Sequence, residues 1–78
     1  MVKAKMHSAL RQGPMLHGNL FAMLEAETTA SERTRWRVIT QEVDSGRVLK
    51  AREGGNGRVW YALPSHEVDL VALTEGAP

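Results

Sequence analysis

Several short stretches of this 78-residue chain hold residue types capable of chemistry. Ser65-His66-Glu67 places a hydroxyl, an imidazole and a carboxylate side by side. Nucleophilic catalysis needs such groups to converge in space, whereas three consecutive side chains diverge, so a turn explains the run better. With Ser65 as the cap of that turn, the acidic member of a capping box would stand at position 68, which is Val68. His7, His17 and His66 fall in three different segments, and the chain has no cysteine, so neither a thiolate site nor a disulfide can form. No metal and no other cofactor is expected. Gly54-Gly55-Asn56-Gly57-Arg58 is glycine-rich, but it lacks the Lys-Ser/Thr ending and the following helix of a phosphate-cradling loop. A tight hairpin accounts for it, and the chain is not expected to be an enzyme.

The strongest chemical signal is cationic. Net charge is only +1, yet residues 33–58 carry seven bases (Arg33, Arg35, Arg37, Arg47, Lys50, Arg52, Arg58) against Glu42, Asp44 and Glu53. On either side, residues 25–32 and 59–78 carry acids and no base. If residues 35–52 form strands, Arg35/Arg37 and Lys50/Arg52 each project from one side, because side chains two apart share a face. Arg58, Trp60 and Tyr61 then neighbour them. Cations beside an aromatic ring suit nucleic acid, through phosphate neutralisation and base stacking. The plainer reading is a solvated strand face on which Glu42 and Glu53 pair with the bases, with Trp60 in the core.

The elements that must position these residues start with Val2, Met6 and Leu10, one stripe of a short helix that Gly13-Pro14 ends. His17-Gly18-Asn19 reads as a turn. Leu20–Glu25 fits either a buried first strand or a helix capped by Asn19, and the strand is preferred because the chain from Arg33 onward reads as strands. Trp36–Val43, Arg47–Arg52 and Arg58–Leu63 are rich in β-branched and aromatic residues, with turns at Asp44–Gly46 and Asn56-Gly57. Pro64–Glu67 reads as one helical turn and Val68–Leu73 as a last strand. The expected core is Phe21, Met23, Val38, Val48, Val59, Tyr61 or Trp60, Leu63, Val68 and Leu70.

Five strands with a helical turn before the last resemble the SH3-like small barrel across residues 18–73. The expected fold class is therefore mainly β: a five-stranded SH3-like barrel with a short N-terminal helix or tail at 1–17 and a C-terminal tail at 74–78. The alternative is α+β, with residues 20–30 a helix on a four-stranded antiparallel sheet. In the strand from Arg35, Trp36 and Val38 share one face while Ile39 and Val43 share the other, which a barrel would need a bulge to accommodate.

The expected function is a non-enzymatic binding module for DNA or RNA, with Arg35, Arg37, Lys50, Arg52 and Arg58 on phosphates and Trp60 or Tyr61 stacking on bases. The alternative is a protein-interaction module or small regulator or inhibitor of a phage or mobile element, binding a protein partner through its acidic segments or by adding the edge of its last strand to a partner's sheet. A chain this short buries only about 60% of its unfolded surface, so homo-oligomerisation would add stability. No secretory or membrane-spanning run is visible, and a cytoplasmic location with no membrane partner is expected.

Overall fold

Val2, Met6 and Leu10 recur every four residues, and the computed structural model, which describes residues 2–54 and 57–75, folds them as the inner stripe of helix α1 (Val2–Leu10). All three are buried in the main core. The segment expected as a helix or tail thus supplies part of the core. Beyond Gly13, whose φ of 130° closes the turn, Met15–Leu16 forms the short strand β1. His17–Glu27 is next, as helix α2, with Leu20 and Leu24 fully buried one turn apart. Thr28 ends it, its backbone N–H and its hydroxyl both donating to the Leu24 carbonyl at 3.0 and 2.6 Å.

Ser31 starts the next element. Its hydroxyl oxygen accepts from the Thr34 backbone N–H at 3.2 Å, satisfying one of the donors that a helix start leaves free. With Glu32 in the first turn, residues 32–44 run as helix α3 (Glu32–Asp44). The inner side is formed by Arg35, Val38, Ile39, Glu42 and Val43, the 3–4 spacing of one helix face. Leu49–Arg52 (β2) and Val59–Ala62 (β3) form a hairpin, and β1 adds to the other edge of β3 in an antiparallel sheet of order β1-β3-β2. The hairpin closes with the Glu53 N–H on the Arg58 carbonyl at 2.9 Å, while Gly55 and Asn56 of the expected Asn-Gly turn lie outside the described residues. A 3₁₀ turn (Pro64–His66) leads into helix α4 (Glu67–Glu75).

The fold is α+β, and the five-stranded SH3-like barrel is wrong. Of the five expected strands, only those at 47–52 and 58–63 exist, each trimmed at its ends. Leu20–Glu25 lies inside α2, Trp36–Val43 inside α3, and Val68–Leu73 inside α4. The α+β alternative fits better, although its helix runs over 17–27 and its sheet has three strands. The reason is local. The β preference of Val38, Ile39 and Val43 is worth at most about 1 kcal/mol and depends on context. The apparent switch of faces in residues 35–43 is the helical period itself. With Val68–Leu73 helical, the strand edge offered for pairing with a partner is not there. Of the expected core, Val48, Tyr61 and Leu70 are buried and Phe21, Met23, Val38, Val59 and Leu63 are partly buried, whereas Val68 is 82% exposed.

Gly46 carries a sharp conformational demand. The Arg47 N–H reaches back to the Glu42 carbonyl and the Gly46 N–H to that of Val43, both at 3.1 Å, the paired bonds of a Schellman close. Gly46 itself has φ 81°, with nothing within 4 Å of where a Cβ would stand. Gly46→Ala is therefore expected to cost about 1 kcal/mol through backbone strain alone, read as a lower denaturant midpoint with an unchanged slope.

Among the described residues Glu42 is the one buried charged residue, 2% exposed. Its Oε2 accepts from Arg47 Nε and Nη2 at 3.0 and 2.9 Å, and its Oε1 accepts from His7 Nε2 at 2.6 Å. The triad ties α1 to α3 and to the turn that leads into β2. The Arg47 hydrogen bonds, opposed by burial and helped by His7, hold the Glu42 carboxyl at about 2, against 4.5 ordinarily. A depressed carboxyl stabilises the fold fully above about pH 4.5 and loses that contribution as pH falls through 2. The full amount is roughly 3 kcal/mol, and the part lost between pH 7 and pH 3 is roughly 2 kcal/mol. In Glu42→Gln the stability difference between pH 7 and pH 3, measured by urea unfolding, should shrink by about that much.

Candidate nucleic-acid interface

The outer side of α3 is polar and cationic. Arg33, Arg37, Thr40, Gln41 and Asp44 are exposed, and Trp36 is 44% exposed among them. Arg35 is not part of this face. On a helix, residues two apart lie about 200° apart, so Arg35 and Arg37 point to opposite sides. Arg35 turns inward, its Nη1 donating to the Ala30 carbonyl at 2.6 Å and fixing the turn between α2 and α3. Its Nε is buried without a hydrogen-bond partner. The expected pairing of Arg35/Arg37 with Lys50/Arg52 across two strands of one sheet does not occur.

Lys50 and Arg52 do share a sheet face. The register sets Lys50 opposite Tyr61 and Arg52 opposite Val59, which places these four residues on the face that packs toward α1, α2 and α3. β2 is an edge strand, so the two cations stay exposed at the border of that face. Lys50 meets α3 there: Trp36, Thr40, Asp44, Lys50 and Tyr61 line one small cleft of about 100 Å³. Arg58, at the foot of β3, shares a surface depression with His17, Gly18 and Asn19 at the start of α2.

The aromatic residues are placed differently from expectation. Tyr61 is 1% exposed and cannot stack on a base. Its hydroxyl lies 3.1 Å from His17 Nδ1, and burial raises its pKa. Trp60 sits on the opposite sheet face from Lys50 and Arg52, paired with Ala51 and Leu16, and its indole N–H donates to the Glu53 carboxylate. Arg58 Nη2 is 3.3 Å from the same carboxylate. The aromatic ring on the cationic surface is Trp36, which packs on Phe21 at 4.8 Å and on His17 at 5.1 Å between ring centres. Burial, and then the charge of Lys50, keep the His17 pKa below its ordinary 6.5. Sequence reasoning missed Trp36, Arg33 and Gln41. Their signal was the spacing 33, 36/37, 40/41, legible only once residues 32–44 are read as a helix.

Among the described residues Arg33, Arg37, Lys50 and Arg52 make no ion pair; the pairs present involve Lys5, His7, Arg47, Arg58 and His66. The catalytic-looking run is taken apart: His66 Nε2 lies 3.0 Å from the Arg11 carbonyl, its Nδ1 lies 3.5 Å from Asp69, and Ser65 is exposed. No group of three or more metal-ligating side chains occurs among the described residues, and none of their helices is long and apolar enough to cross a membrane. No protein-family model, curated protein or solved structure matches the chain.

Proposed function

We propose that the chain binds duplex DNA, with α3 entering the major groove and the β2–β3 hairpin lying on the flanking backbone. The observation that carries the reading is the outer face of α3, which presents Arg33 and Arg37 without a carboxylate partner among the described residues. Three features of the fold support it. α2 and α3 are joined by the four residues 28–31, the connection length of a helix-turn-helix, whose second helix is the one that reads bases. α1 packs on both of these helices and fixes their relation. Lys50 borders the same face, Arg52 follows it along β2, and Arg58 stands beside the start of α2. An α-helix fits the major groove, where arginine pairs with guanine and glutamine with adenine, so Arg33, Arg37 and Gln41 are the base-reading candidates.

The test is a fluorescence-anisotropy titration of a labelled duplex of about 20 base pairs between about 50 and 200 mM salt. Binding should weaken with salt along a slope of about −3 in log K against log salt, the value for about three neutralised phosphates, at Lys50, Arg52 and Arg58. Absence of salt-dependent binding at micromolar protein would remove the reading.

A protein partner is the second reading, favoured by α4. Val68, Val71 and Leu73 are three of the four exposed large hydrophobic residues of the described chain, and Glu67, Asp69 and Glu75 flank them. Single exposed apolar residues are ordinary, whereas Val68 and Val71 stand one turn apart on the same side of α4 and suit a small contact surface, with Leu73 on the other side of the helix.

A further inference from the structure

Trp36 is the fourth exposed large hydrophobic residue, and it stands apart from the other three, on the cationic outer side of α3. Its ring is braced by Phe21 at 4.8 Å and 52°, and by His17 at 5.1 Å and 40°. His17 is itself braced by Phe21 and Tyr61, so the indole rests on a fixed platform. The exposed part of the residue lies one turn of helix from Arg33 and Thr40 and next to Arg37.

Phosphate is recognised by charge and by N–H or O–H donors, of which the indole supplies only one, and it has no use for the rest of the ring. Within the major groove the apolar feature of a base edge is the C5-methyl group of thymine, or of a methylated cytosine. We propose that Trp36 reads a pyrimidine C5-methyl group in the base step contacted by the N-terminal half of α3. The inference rests on the duplex-DNA reading above and adds the chemistry of one base position. Of the other exposed groups on that face, Arg33, Arg37 and Gln41 are hydrogen-bonding side chains and Thr40 offers a single methyl group, so the large apolar contact is that of Trp36.

The test begins with duplexes selected from a randomised pool by the full chain. Each thymine of the selected sequence is replaced in turn by uracil, which removes the methyl group and nothing else. One replacement should weaken binding about fourfold, the ratio that corresponds to burying one CH₂-sized group. Trp36→Ala should bind the thymine and uracil duplexes alike. Trp36→Phe, which keeps a ring against Phe21 and His17, covers the case in which the alanine variant does not fold, and it should show reduced discrimination. At the same position, tighter binding of thymine than of 5-methylcytosine assigns the methyl group to thymine, and the reverse order assigns it to methylated cytosine. Equal affinity for thymine and uracil at every position, with duplex binding still weakened by Arg33→Ala/Arg37→Ala, overturns the Trp36 inference and leaves the duplex reading standing. Retention of no duplex from the pool, or tighter binding to the separated single strands, overturns both.

Discussion

Replacing Arg33 and Arg37 together by alanine is expected to lower the affinity for duplex DNA about a hundredfold while leaving the fold intact. Each arginine that reaches a base edge is worth about 1–3 kcal/mol, and 1.4 kcal/mol is a factor of ten. Both side chains are exposed and make no ion pair among the described residues, so their removal breaks nothing within the domain. Alanine is the best helix former, and surface changes of this kind stay within about 0.5 kcal/mol of stability. If the two arginines touch phosphates instead of bases, the loss appears equally on every sequence and the salt slope falls by about 2. Lys5 is the matched control. It lies on α1, where its ammonium is 3.6 Å from Glu27 in a half-exposed pair, and Lys5→Ala should leave affinity within about twofold. A hundredfold loss in the double variant with circular dichroism unchanged confirms the outer face of α3; equal affinities for the double variant and the native chain exclude it.

The second large effect concerns how that face is held. Leu10→Ala is expected to destabilise the domain by about 3 kcal/mol, within the 2–5 kcal/mol typical of a buried leucine. Leu10 is fully buried and belongs to the same cluster as Leu20, Leu24 and Ile39, so it joins α1 to both helices of the proposed reading unit. Domains carry roughly 0.05–0.15 kcal/mol of stability per residue, and a chain this short has little in reserve. The thermal midpoint should fall by about 15 °C. Val68→Ala supplies the contrast. A barrel would place Val68 in its core, whereas α4 leaves it 82% exposed, so this substitution should change stability by less than about 0.5 kcal/mol. Large loss at Val68 with little loss at Leu10 would point back to the barrel.

Parts of this structure are legible in the sequence and parts are not. Val2, Met6 and Leu10 mark one helix face by spacing alone, and Gly13-Pro14 marks its end. Arg47–Leu63 reads as a hairpin because turn residues interrupt two runs rich in β-branched and aromatic residues. The one-turn helix at Pro64–His66 is also legible, since proline suits a helix start. Strand readings fail at α2, α3 and α4, and the one with the largest consequence is α3. Its residues include Val38, Ile39 and Val43, whose types favour strands, and only their spacing and the Ser31 cap favour a helix. Weighting residue type above period turns this helix into a strand, and the expected sheet face comes from that choice. The same error moves the cations. Arg35 and Arg37 look like a pair at strand spacing, yet on a helix one holds the Ala30 carbonyl and the other faces solvent. Trp60 and Tyr61 are legible as strand residues, but which of them faces outward depends on the register with β1 and β2, and the register is set by pairings that no local pattern encodes. Trp36 is within reach of the sequence: at helical spacing it shares a face with Arg33 and Thr40.

The most direct measurement is a map of backbone amide chemical shifts, by NMR, during titration of the full chain with duplex DNA at low salt. DNA seated on the outer face of α3 predicts that the shifts concentrate in Arg33–Gln41, in Lys50–Arg52 and Arg58, and at Gly18 and Asn19, with α4 unchanged. Shifts confined to α4 and the exposed side of α1, or none at a concentration where salt-dependent binding is seen by anisotropy, would contradict it.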